Sequence, residues 1–109
     1  MRCDKNDKLY SMYFYNTKWR LNKTRTNTSR ESSITVNEIT GGYFHSYKNV
    51  YTAQDFLYKY KNYPHSSLAL VECVIPKGTT YCEGFDSSYN LGYASKRLKV
   101  TRIIYKNLI

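Results

Sequence analysis

The sequence predicts an α+β fold, a small, mainly antiparallel sheet of five or six strands with one packed helix at about residues 52–63, on three observations. Several short segments rich in Tyr, Val and Ile are separated by polar turns. One stretch carries apolar residues at helical spacing. One run, SLALVECVI, is apolar on both faces and reads as a central strand.

The elements follow in order. Residues 8–15 (KLYSMYFY) are dense in Tyr and Phe and read as a first strand. Residues 16–33 turn to Asn, Thr, Ser and basic side chains around the single Trp19, which predicts a polar, basic loop or hairpin. Residues 33–40 (SITVNEIT) alternate with Ile34, Val36 and Glu38 on one face, and Gly41-Gly42 follows as a turn. YFHSY makes a further short strand. Thr52 is the expected helix cap, with Asp55 three residues on. Ala53, Phe56, Leu57 and Tyr60 then fall at i, i+3, i+4 and i+7, leaving Tyr58, Lys59 and Lys61 outward until Pro64 stops the helix. The turn at Pro76-Lys77-Gly78 leads to TTYCEGF, GYAS and a last strand over residues 98–105.

At 109 residues the chain is the size of one domain, residues 1–109, and 13 of its residues are Tyr, so the core is expected to be small. No apolar run approaches 18 residues, which leaves no candidate membrane span. The N-terminal MRCDKNDKLYSMYF breaks any secretory apolar stretch with Asp4, Asn6 and Asp7, so a cytoplasmic setting is expected. Cys3, Cys73 and Cys82 are then reduced, and their spacing builds no zinc site. Cys73 inside its apolar run reads as a small core residue. His45 and His65 lack neighbouring ligands, and no metal or cofactor is expected.

Charge is the most general functional signal. Seventeen Lys and Arg stand against eight Asp and Glu, a net charge of +9. Residues 16–30 carry Lys18, Arg20, Lys23, Arg25 and Arg30 with no acid, and residues 87–109 carry Lys96, Arg97, Lys99, Arg102 and Lys106, again with none. If these segments converge, their field attracts phosphates. Interleaved aromatic residues add surfaces on which bases stack. The candidate ligand-binding residues are therefore Arg20, Lys23, Arg25, Lys96, Arg97 and Lys99 for phosphates, with Trp19, Tyr43 and Tyr93 for stacking. The bland alternatives are that the cations only confer solubility and that each Tyr fills a half-wet strand. No RRM, KH or zinc-finger signature is present.

Glu72 interrupts the apolar run. A carboxylate there is either buried at a functional wall or solvated and paired with a cation of the neighbouring strand. The segment VECVIPKGTTY around it resembles the ADP-ribosyltransferase fold, in which a Glu precedes an apolar pair and a Pro-x-Gly-Thr turn. YFHSYKNVYTAQDF resembles that fold's Ser-Thr-Ser strand and following helix. This resemblance implies Glu72 and Ser46 as catalytic residues and NAD as cofactor. Tyr47 stands where the motif has Thr, and Leu9-Tyr10-Ser11 lacks the family's first-strand Arg or His. HSYKNVYTAQDF, VECVIPKGTTYCEG and GYASKRLKV together also resemble small accessory proteins of phages and mobile elements, which implies a host-cytoplasmic setting and a role in countering host defence.

The leading expectation is a non-enzymatic binder of an anionic nucleotide or nucleic acid. An NAD-using ADP-ribosyltransferase-like enzyme and a direct inhibitor of a host protein are the alternatives. No membrane partner is expected, and a homo-oligomer is compatible with the sequence.

Overall fold

The computed structural model describes residues 1–4, 6, 8–10, 18–27, 43–59, 67–85 and 89–106, with the backbone of 33–34, 39–40 and 107. The fold is α+β, with a six-stranded sheet and a packed helix, as the sequence predicts. Two smaller sheets accompany it, and every described strand pairing is antiparallel.

Strand β1 (Arg2–Cys3), which the residue pattern did not suggest, lies between β2 (Leu9–Tyr10) and β8 (Ser67–Val74). Two residues show no periodicity of their own; β1 exists because its neighbours supply the hydrogen bonds. Met1 extends that ladder, its carbonyl accepting from the Ala69 N–H at 2.8 Å. The expected first strand over 8–15 is realised in β2, and residues 11–17 lie outside the described set.

Within the basic segment stand β3 (Lys18–Trp19) and β4 (Thr24–Thr26). They do not form the expected loop or hairpin. They occupy opposite ends of the six-stranded sheet, whose order is β3-β2-β1-β8-β11-β4, where β11 is Arg97–Asn107. In a flat sheet these two edges would be about 24 Å apart. The link of residues 20–23 reaches at most about 18 Å even when extended, and it is folded into a turn with Asn22 at φ 60° and Lys23 N–H on the Arg20 carbonyl at 3.3 Å. The sheet therefore curls until its edges approach. Arg25 clamps them, its Nη1 donating to the Lys18 carbonyl at 2.6 Å with its guanidinium 5.8 Å from the Trp19 ring centre. Two register shifts in the β11–β8 ladder, after Val100 and after Ile103, add the local twist such curvature needs.

Inside the curl lie Cys3, Leu9, Trp19, Ala69, Leu98 and Val100, all buried. Cys73 packs against them as expected, and burial pushes its thiol up from the ordinary range.

The expected strand over residues 33–40 is instead β5 (Ser33–Ile34) paired with β6 (Ile39–Thr40). Next, β7 (Phe44–Tyr47), β10 (Leu91–Ser95) and β9 (Tyr81–Phe85) form a three-stranded sheet with β10 central. Phe44 joins it to the large sheet's core, edge-on to Trp19 at 4.9 Å. At Gly92 an added Cβ would lie 2.6 Å from the Ser46 carbonyl oxygen, so only glycine fits.

Helix α1 (Val50–Lys59) starts two residues before the expected cap. Asn49 caps it, its Oδ1 accepting from the Tyr51 N–H at 2.8 Å, which leaves Thr52 inside the first turn. Ala53, Phe56 and Leu57 are half-buried and Tyr58 and Lys59 exposed, as the spacing predicts; Tyr60 and Lys61 lie outside the described residues. Phe56 meets Tyr47 at 6.0 Å, which seats the helix on β7.

Two substitutions test this account. Arg25→Ala should lower stability by about 1–2 kcal/mol in urea unfolding, through loss of its hydrogen bond and its contact with Trp19. Gly92→Ala should cost about 1–3 kcal/mol, because the obstructing atom is backbone. An unchanged urea midpoint for either variant would contradict the corresponding contact.

Candidate cationic surface

The two acid-free segments come together. β4 pairs with the start of β11, setting Thr26 opposite Arg97, Arg25 opposite Leu98 and Thr24 opposite Lys99. Bonds from Asn27 N–H to the Lys96 carbonyl and from Asn22 N–H to the Val100 carbonyl, both 2.8 Å, extend the pairing at each end. Directly opposed residues share a face, and faces alternate along a strand. Leu98 is buried, so its face is the inner one. Arg97 and Lys99, with Thr24 and Thr26 opposite them, therefore stand on the outer face.

Two turns next to these strands carry further cations. Pro76, Lys77, Gly78 and Thr79 form a turn closed by the Thr79 N–H on the Pro76 carbonyl at 3.1 Å, and Gly78 at φ +83° meets its need for a left-handed residue. Arg97 Nη2 donates to the Lys77 carbonyl at 3.3 Å, which docks the turn beside β11. Arg20 and Lys23 are exposed in the link between β3 and β4. Lys77, Arg97, Lys99, Lys23 and Arg20 thus come from β11 and from two turns, one docked on β11 through Arg97 and the other leading into β4.

Other candidates are committed elsewhere. Trp19 is only 6% exposed and belongs to the core, so it offers no face to a base. Its prediction as a stacking residue is overturned because the curled sheet needs a large apolar filler where its edges meet. Arg25 caps that indole and bonds Lys18, a structural duty. Lys96 holds its ammonium 4.4 Å from the Tyr43 ring centre, so these two candidates contact one another. Tyr93 stands on the three-stranded sheet, opposite Glu83 and Ser46.

Glu72 takes the solvated, paired alternative. It is exposed on β8 opposite Arg102, whose Nη2 lies 3.1 Å from its Oε2, and the Thr101 hydroxyl donates to its Oε1 at 2.9 Å. The Thr101 hydrogen bond and the Arg102 charge hold its carboxyl below the ordinary glutamate range. Glu72 sits in the six-stranded sheet and Ser46 in the three-stranded one. Among the described residues no group of three or more His, Cys, Asp and Glu could hold a metal ion, and no helix is long and apolar enough to cross a membrane. His65 lies outside the described residues.

Sequence reasoning missed Tyr81 and Phe85, both more than half exposed. The alternation Tyr81, Glu83, Phe85 was the available signal. Comparison with family models, curated proteins and solved structures finds no match to this chain.

The depressed Glu72 carboxyl gives a pH test with a definite sign. Its contribution to stability is present above the ordinary glutamate range and is lost as pH falls through the lower folded value. Glu72→Gln should flatten that acid limb of the thermal midpoint against pH while leaving the midpoint at pH 7 within a few degrees, because the pair is solvent-exposed. An unchanged acid limb in the variant would show that the pair carries no linkage.

Proposed function

We propose that this chain is a non-enzymatic binder of an anionic ligand, a nucleotide or nucleic acid, held on the outer face formed by β4 and β11. The observation that carries the proposal is the pairing of residues 24–26 with 97–99, from two segments that each lack any acid, although 70 residues lie between these strands. A net charge of +9 spread evenly would serve solubility alone. Gathered on one strand pair and the turns beside it, the cations make a local field that phosphates neutralise with release of counterions.

Arg97 and Lys99 form the centre of this surface, with Lys23, Arg20 and Lys77 around them. Thr24 and Thr26 set hydroxyl groups between the charges, able to donate to phosphate oxygens. Glu72 borders the same face and is matched by Arg102. The resemblance to phage and mobile-element accessory proteins adds a setting, a host-cytoplasmic factor that counters host defence by sequestering a nucleotide signal.

Titration of labelled single-stranded DNA, RNA and a panel of linear and cyclic nucleotides at two salt concentrations tests this. Affinity should fall steeply with salt, and Lys23→Gln with Lys99→Gln should reduce the slope of log K against log salt by roughly 0.7–0.9 per lysine removed. Absence of binding at low salt, or an unchanged slope in the double variant, would overturn the assignment.

A further inference from the structure

The edge strand β9 of the three-stranded sheet exposes aromatic side chains where antiparallel strands ordinarily turn polar ones outward. Along β9, Tyr81, Glu83 and Phe85 share one face, and the register sets Ser95, Tyr93 and Leu91 opposite them; Ser95 is buried and Phe44 beyond it packs on Trp19, so the exposed part of this face is the β9 edge. Tyr81 is 57% exposed and Phe85 55%. Tyr93 supports Tyr81 edge-on, with centroids 6.0 Å apart and planes at 69°. Glu83 stands between the two exposed rings, and the Lys48 ammonium 3.0 Å from its Oε1 neutralises it.

The Tyr81 end of this row is tied to the start of β11. The Thr80 carbonyl, one residue before Tyr81, accepts from the Lys96 N–H at 3.1 Å, and Arg97 beside it reaches the Lys77 carbonyl. An occupant that spans both offers flat π faces and a negative backbone together. Tyr81 and Phe85, four residues apart on a strand, are about 13 Å apart. That separation suits an extended chain of bases better than one base in a pocket. A duplex keeps its bases stacked inside and presents no free π face to such a row.

We propose that Tyr81 and Phe85 form a base-stacking platform for single-stranded nucleic acid, with Tyr93 backing Tyr81 and the phosphates running toward Arg97 and Lys99. The proposal rests on the phosphate-binding role of the cationic surface and selects one ligand class within it.

The test compares three labelled probes by fluorescence polarisation at low salt with the full chain: a ten-nucleotide single strand, an abasic oligomer with the same phosphates, and the duplex of the first. The base-bearing strand should bind at least about fivefold more tightly than the abasic oligomer. Tyr81→Ser with Phe85→Ser should remove that preference and leave abasic binding unchanged. Tyr81→Leu with Phe85→Leu keeps apolar, strand-compatible side chains and should remove it as well, which separates stacking from a folding defect. Equal binding of abasic and base-bearing strands overturns the platform while the cationic surface stands. Failure of both oligomers to bind overturns the surface and the platform together. Duplex binding as tight as the single strand, or a leucine variant with full base preference, also overturns the platform. Sedimentation completes the set: a dimer that the serine variant dissociates, with base preference unaltered, would make a second copy of the chain the occupant and overturn the proposal.

Discussion

The structure depends on one closure, the meeting of the two edges of the six-stranded sheet at Trp19 and Arg25. Only residues 20–23 separate β3 from β4, yet the two strands stand at opposite ends of the sheet. A link that short forces the sheet to bend around whatever lies inside it. Trp19 fills that interior, and Arg25 covers the indole while bonding the strand that carries it. A cation of the basic segment thereby becomes part of the frame, with its neighbours on the same strand left to face solvent.

From that closure follows the charge distribution. Curling brings β4 to the free side of β11, and the second basic segment meets the first there. Alternation then sorts the side chains, so that Leu98 turns inward while Arg97 and Lys99 turn outward. The chain passes from β10 to β11 through Lys96, the single residue between those two strands. The aromatic-bearing sheet and the cationic strand β11 are consecutive in the chain for that reason. Glu72, which a buried setting would have made costly, is exposed where Arg102 and Thr101 satisfy it, and a low carboxyl pKa follows from those partners.

Much of this architecture was legible from residue patterns. SLALVECVI reads as central because both its faces are apolar, and β8 does lie between β1 and β11. Ala53, Phe56 and Leu57 mark the helix's packed side through their spacing alone. Less legible were features that depend on a partner. β1 has only two residues and takes its bonds from β2 and β8. The helix start was misplaced because Asn49 and Thr52 are both acceptable caps, and the position of Tyr47 on Phe56 belongs to packing. Trp19 looked available among polar neighbours, since a loop and a two-residue strand have the same composition there.

The sequence by itself determined the fold class, the central strand, the helix face and the two acid-free segments, because periodicity and charge are local properties of the chain. Tertiary structure alone decided that those segments pair, that Trp19 and Arg25 serve the core, and that Tyr81 and Phe85 face outward. Each of these depends on which strands become neighbours, and a pairing between residues 24–26 and 97–99 is set by the length of a link and the curvature of a sheet. No local pattern in either segment records them.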